Sequence, residues 1–437
     1  MFKNFLGIMD KIRQILTFFL FVIPLFFTKN TTKDPYLIQD LLFYFSIFFV
    51  YLFSFFIFIF NKEKKEQNFL KNFTKIEKVL FLFFSICFLS FFLAILKNKS
   101  QILAIILQGD LHLSWLITRS ILIFFLPFII PDQKFWINVL KIAIFTAFLS
   151  SLYGILQFFN IELFWNIDMK RFGKRIISTF GNPTFLSSYL VMTIPICFYF
   201  YKKTKKIFYL IIFGTLIFAL ILTYTRSSWL GIFFAGIYFV TLYFKNFWHK
   251  KNLKFFVKFL LLIFFLVSIL FISKDFRTRI KESFSLSKNN KSIYQRLIIY
   301  KTGLDIFKDN IIFGSGYGTF DLKAPFYIGK YIDDIYMYEH KTHANLAHNL
   351  LLQVLSETGI VGIIIYLIFW FLFFKLVLFL IKNHKAQDEK FLILILSTSV
   401  FGMIIDNFLN VTTQISATMT LFWLIISIII KIYLDVK

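Results

Sequence analysis

Two stretches of the chain, Leu41–Phe60 and Phe255–Ile272, run for most of their length without charge. A helix that crosses a bilayer needs about 20 mainly apolar residues. In lipid the backbone N–H and C=O groups must be satisfied within the spanning segment, so such runs fold as helices. The whole chain follows suit. Of its 437 residues 58% are apolar and 16% charged, against roughly 45–50% and 25% in soluble domains. Water-soluble globular and disordered classes are thereby excluded. Breaks at charged or Gly/Pro/Asn clusters divide the sequence into about twelve expected transmembrane helices, near 12–28, 37–60, 79–96, 113–130, 135–159, 180–201, 207–224, 228–244, 255–272, 349–380, 391–408 and 415–435. Segment 102–111 is a weaker apolar run that reads as an interfacial helix or part of a re-entrant turn. Lys3, Lys11 and Arg13 precede the first run as in a secretory signal, but Phe27-Thr28-Lys29 is no small-x-small cleavage site, so it reads as an anchor.

A net charge of +25 would suggest nucleic acid in a soluble protein. Here the bases sit in short loops between apolar runs, where they orient the chain and meet anionic lipid headgroups. Nucleic acid is rejected as a partner. With both termini cytoplasmic, the inside loops, including Lys62–Lys78, Lys202–Lys206 and Lys245–Lys254, carry more than twice the Lys and Arg of the short outside loops. The expected organisation is all-α: helices one to nine over 1–272, an extracytoplasmic segment over 273–348, and helices ten to twelve over 349–437. Cys87 and Cys197 lie inside apolar runs and read as small core residues without a disulfide framework.

Segment 273–348 is too short for a large core of its own and reads as a cap on the bundle. Leu297, Ile298, Leu304 and Phe307 recur with helical period over Tyr294–Lys308. Asp309-Asn310 closes that helix, and Gly314, Gly316 and Gly318 form a turn-rich stretch.

Ionisable groups at membrane depth cost ~2.5–3.5 kcal/mol on insertion scales, so each calls for a reason. Three outer segments carry candidates: Arg226 in a tight turn before span eight, Arg171-Phe-Gly-Lys-Arg175 before span six, and the cap with Arg277, Arg279, Arg296, His340, His343 and His348. Arg226 reads either as a snorkelling interfacial arginine or as a grip on a lipid phosphate, since the guanidinium fork donates two parallel bonds and stays charged. Arg296 reads as an exposed cap residue or as a second such grip. His348 stands at a helix start, as a capping residue or as a neutral imidazole able to accept a proton. There is no P-loop after Gly314-Ser-Gly-Tyr-Gly, no His-Glu-x-x-His and no Gly-x-Ser-x-Gly. Asp333-Asp334 and Asp110 with His112 are weak as metal pairs, and no metal is expected.

The order of Ser178-Thr-Phe-Gly-Asn-Pro183, Tyr224-Thr-Arg-Ser-Ser-Trp-Leu-Gly231, Tyr294-Gln-Arg-Leu297, Phe313-Gly-Ser-Gly-Tyr-Gly-Thr-Phe320 and Ala347-His-Asn-Leu-Leu-Leu-Gln-Val-Leu-Ser-Glu-Thr-Gly-Ile-Val-Gly362 resembles the O-antigen ligase superfamily. That group also contains Wzy-type polymerases and protein O-oligosaccharyltransferases. The similarity spans roughly 150–410. Ile311 departs from the family pattern, which often has Pro before the Gly-rich turn, and His343-Ala-Asn-Leu-Ala-His348 offers two histidines. The resemblance implies an inverting, metal-independent GT-C-type glycosyltransferase with a helical periplasmic cap in the bacterial inner membrane, without a cofactor. Its donor would be a glycan on undecaprenyl pyrophosphate. Its acceptor would be lipid A-core in ligation, a growing glycan in polymerisation, or a protein. By the same resemblance Arg226, Arg296 and Arg175 would hold the donor pyrophosphate and His348 would be the general base. A polysaccharide transporter is the reading outside this class; it calls for mid-membrane charge and repeat symmetry, and no repeat symmetry is visible.

Overall fold

The computed structural model describes residues 2–26, 36–60, 74–97, 125–130, 132–163, 173–247, 277, 291–331 and 346–436. Every regular element among them is helical: α1 (Phe2–Leu20), α2 (Tyr36–Phe60), α3 (Lys75–Lys97), α4 (Gln133–Phe158), α5 (Pro183–Thr204), α6 (Ile207–Leu222), α7 (Arg226–Phe247), α8 (Lys291–Asp309), α9 (Phe320–Ile328), α10 (Leu350–Asn383), α11 (Gln387–Asn407) and α12 (Ser416–Val436). Seven of these, α2, α3, α4, α5, α7, α10 and α12, are long and apolar enough to cross a membrane. The spans expected near 207–224 and 391–408 are helical as α6 and α11. However, α6 has only 16 residues, and α11 starts on a polar turn with Asp388 and Glu389. The expected spans at 255–272 and over most of 113–130, and segment 102–111, lie outside the described residues.

The first apolar run differs from its expected bounds. Its helix is Phe2–Leu20, followed by a short turn at Ile23–Leu25. The charges expected to flank the helix lie within it, because Arg13 pairs with Asp10 one turn away and donates to Ser54 Oγ of α2 at 3.3 Å. An internal ion pair lets a helix carry charge that an apolar window would exclude.

Local sequence explains where the helices begin. Asp132 caps α4 by accepting from Lys134 N at 2.9 Å. Asn182 caps α5 by accepting from Thr184 N at 2.9 Å, with Pro183 in the first helical position. Asn349 caps α10 by accepting from Leu352 N at 3.0 Å. At α3 a capping box forms, Thr74 N donating to Glu77 Oε2 at 2.6 Å and Glu77 N to Thr74 Oγ1 at 3.5 Å.

Burial sorts the helices into layers. α12 and α5 are 83% and 78% buried along their apolar windows, whereas α2, α3 and α7 are 28–33% buried. The outer three are apolar all round and present Phe45, Phe48, Phe81, Phe88, Phe233 and Phe234 outward, as expected of helices facing lipid. α7 and α11 cross closely. A Cβ on Gly231 would stand 2.8 Å from the Gly402 carbonyl oxygen, so only glycine allows that approach.

The two ends of the bundle differ in chemistry. At one end stand the turns bearing Lys202–Lys206, Lys382–Lys390 and Lys431. There Lys202 lies 3.9 Å from the Phe391 ring centre, His384 Nε2 stands 2.8 Å from Glu389 Oε2, and Gln133 reaches Glu389 Oε1 at 3.3 Å. At the other end stand the starts of α5, α7 and α10, the end of α11, and the cap helices α8 and α9.

The glycine-rich loop between α8 and α9 is hydrogen-bonded to α10 at a break in that helix. Gly359 takes φ 68° and ψ −165°, and the freed backbone pairs with the glycine-rich loop. Ser315 N donates to Ser356 O at 2.9 Å, Gly316 N to Glu357 O at 3.1 Å and Ile360 N to Ile311 O at 2.8 Å. Ser90 Oγ of α3 stands 2.6 Å from the carbonyl oxygens of both Phe313 and Glu357. A Cβ on Gly359 would lie 2.3 Å from Ile312 O. Gly359→Val is therefore expected to detach this loop and lower the Tm of the detergent-solubilised protein sharply. Gly236→Ala, at a site with nothing within 4 Å, leaves the Tm unchanged or slightly raised.

Candidate functional site

The site assembles at the end of the bundle opposite the lysine-rich turns. His348 precedes the Asn349 cap and takes φ 50°, a left-handed backbone unusual for a residue with a Cβ. Neighbours hold it there. Tyr300 Oη of α8 donates to the His348 carbonyl at 3.2 Å, and Ala347 N donates to Gln353 Oε1 at 2.6 Å. Gln353 Nε2 in turn donates at 2.7 Å to Glu357 Oε1, which also accepts from Phe320 N at 3.2 Å. The glycine-rich loop and the helix break thus support the turn that carries the histidine.

Arg296 stands one helical turn before Tyr300 and close enough to His348 to act on its charge. Burial, and secondly the Arg296 charge, push the His348 imidazole from its ordinary 6.5 down to about 4. It is a neutral base at physiological pH. Burial also lowers the Arg296 guanidinium from its ordinary value, while Tyr300 and Asp406 act to hold it up. It stays charged, as arginine does throughout proteins.

Asp406, near the end of α11, links this pair to the second half of the site. Ser188 donates to one of its oxygens. Ser228 at 2.8 Å and Asn410 at 3.2 Å donate to the other. Asn410 also donates to Ser227 at 2.5 Å. Ser227 and Ser228 directly follow Arg226, which opens α7 and is half-buried. The turn before it is fixed by Arg175, whose Nε donates to Thr223 O at 2.8 Å and whose Nη2 donates to Thr225 Oγ1 at 3.0 Å. Tyr224 in that turn has φ 48°.

The structure therefore joins the four residues expected from sequence as two pairs, Arg175 with the turn of Arg226 and Arg296 with His348, bridged by Asp406. Arg175 spends two of its donors on protein backbone and hydroxyl, so part of its fork holds the turn. His343, His340, Asp333, Asp334, Asp110 and His112 lie outside the described residues. Among the described residues no group of three or more His, Cys, Asp or Glu side chains comes together. Cys87 and Cys197 are buried and free.

Asp406, Tyr300 and the Gln353–Glu357 pair are additions to the site. Asp406 was visible as the one acid in an otherwise apolar run, and Tyr300 as the residue four positions after Arg296. Gln353 and Glu357 lay in a motif segment whose spacing alone carries no chemistry.

The described residues thus form a helical membrane bundle with half-buried arginines and a neutral histidine gathered at one end. Residues 188–367 match the family model described as O-Antigen ligase. Over that segment the chain is similar to the O-antigen ligase family, a family of membrane enzymes. Arg226, Arg296 and His348 fall within the matched residues, whereas Arg175 and Asp406 lie outside them. No curated protein matches the chain.

Proposed function

We propose that this protein transfers a glycan from undecaprenyl pyrophosphate to an acceptor hydroxyl at the periplasmic face of the bacterial inner membrane, and that the acceptor is lipid A-core. The observation that carries the reading is the pairing of Arg296 with a neutral His348, linked through Asp406 to the serines beside Arg226. Such a set supplies cations for a diphosphate and a base for a hydroxyl within one site. The lysine-rich opposite end fits the cytoplasmic side by the positive-inside rule.

In the proposed step the acceptor oxygen attacks the anomeric carbon from the face opposite the leaving group. The new C–O bond forms as the C–O bond to the diphosphate breaks, and that electron pair departs with undecaprenyl pyrophosphate. His348 takes the hydroxyl proton. Arg226 and Arg296 meet the charge that grows on the leaving group, and Arg175 fixes the turn from which Arg226 projects. Charge stabilisation of this kind is strongest where water is excluded, and one such donor is worth about 2.7–4 kcal/mol. The pyrophosphate is already activated, so no nucleotide site is required.

The test is to reconstitute the protein in vesicles with an undecaprenyl-pyrophosphate glycan and offer lipid A-core, free repeat units or a pilin-like protein. The expected product is glycosylated lipid A-core, formed equally well in EDTA. Chain-length growth or protein modification in its place would move the protein to the polymerase or protein-transferring branch. Loss in EDTA with rescue by Mg²⁺ or Mn²⁺ would contradict the metal-independent chemistry.

A further inference from the structure

A cavity of about 510 Å³ opens under the cap, apart from the site above, between the end of α3, the 309–315 turn and α9. Its charged and polar lining is Lys97, Lys323, Asp309, Asn310, Ser315 and Tyr327, and Leu93, Ala94 and Phe313 form an apolar wall. Lys97 Nζ donates to Asn310 Oδ1 at 3.0 Å, and Tyr327 Oη donates to Asp309 Oδ2 at 2.8 Å. Ile311 and Ile312 border the opening and are 54% and 59% exposed.

Two cations brought to one cavity repel each other. Burial, and secondly the Lys97 charge, lower the Lys323 ammonium from its ordinary value. An anion between the two ammonium groups would relieve that repulsion. The remaining lining suits the rest of such a ligand. The Asp309 carboxylate and Asn310 amide are partners for sugar hydroxyls, and the exposed isoleucines offer apolar surface beside them.

We propose that this cavity binds the phosphate of a glycolipid acceptor, with Lys97 and Lys323 gripping the phosphate and Asp309 and Asn310 receiving hydroxyls of the adjoining sugar. The inference rests on the transferase reading and names the acceptor class for it. Its distance from the site fits. Arg296 and Asp309 are about 20 Å apart along α8 at 1.5 Å per residue. An acceptor anchored here has room for intervening sugars before it offers a hydroxyl to His348. The glycine-rich loop forms both the cavity wall at Gly314 and Ser315 and the support of the histidine turn, so anchor and base share one rigid element.

The experiment compares the wild-type protein with a Lys97→Gln/Lys323→Gln double variant in nanodiscs. The probes are phosphorylated lipid A, the same lipid with its phosphates removed, phosphatidylglycerol and inorganic phosphate. The double variant is expected to bind phosphorylated lipid A at least about tenfold more weakly, the scale of lost charge-assisted bonds at a partly exposed site. The dephosphorylated lipid should bind both proteins equally, and Lys97→Arg/Lys323→Arg should restore affinity. Undecaprenyl pyrophosphate should bind wild type and double variant alike, which also shows that the variant is folded. Equal binding of phosphorylated lipid A by wild type and double variant would overturn the proposal. So would displacement by phosphatidylglycerol or inorganic phosphate at the same concentration as lipid A, which would mark a general anion contact. Should lipid A binding depend on the two lysines while no glycan is transferred to any of the three acceptors, the cavity stands and the transferase reading fails.

Discussion

Glycan transfer by a His348→Gln variant should fall by roughly 10²–10⁴-fold, the usual worth of a positioned general base. Donor binding should persist, because the histidine acts on the acceptor proton and not on the diphosphate. The pH dependence gives the same residue a second signature. With the imidazole held at about 4 in the free protein, the base form is present across pH 5–8. The acid limb of kcat/KM should then lie well below the 6.5 of an ordinary histidine. Bound pyrophosphate is anionic and favours imidazolium, so the limb in kcat should lie at higher pH than the limb in kcat/KM. A kcat/KM limb centred near 6.5 in the wild type, absent from His348→Gln, would show that neither burial nor Arg296 holds the imidazole down.

Arg296→Ala is the second large effect. It removes a diphosphate contact, with an expected loss of about 10²–10³-fold in turnover by analogy with a single oxyanion donor. It also withdraws the positive charge that acts on His348. Loss of that charge raises the histidine pKa, so the acid limb of kcat/KM should move to higher pH in this variant. Arg296→Lys keeps the charge and loses the fork. It should preserve the position of the limb while recovering only part of the rate. A variant with unchanged rate and unchanged limb would remove Arg296 from both roles.

Much of this arrangement was legible in the sequence, for local reasons. α8 was readable because its apolar period and the Asp309-Asn310 stop are short-range signals, and the helix runs Lys291–Asp309 against an expected Tyr294–Lys308. The start of α10 was readable from Ala347-His-Asn, but the residue that caps it is Asn349 and not His348. The turn before Arg226 was readable as a charged interruption between two apolar runs. Other features depend on partners far along the chain. α1 was misplaced because its tolerance for Arg13 comes from Asp10 and from Ser54 of α2. Asp406 stands alone in an apolar run, and its meaning comes from Ser188 on α5, Ser227 and Ser228 on α7, and Arg296 on α8. The glycine-rich loop was readable only as a turn-rich stretch, and its conformation is set with the break at Gly359, far along the chain.

The account depends on Arg226 and Arg296 holding the same diphosphate that His348 serves. Its most direct measurement is undecaprenyl-pyrophosphate binding, set beside single-turnover transfer, for Arg226→Ala, Arg296→Ala and His348→Gln in one lipid mixture. The account predicts that both arginine variants lose donor affinity together with transfer, while His348→Gln binds donor like the wild type and transfers roughly 10²–10⁴-fold more slowly. Wild-type donor affinity in both arginine variants, or wild-type transfer by His348→Gln, would contradict it.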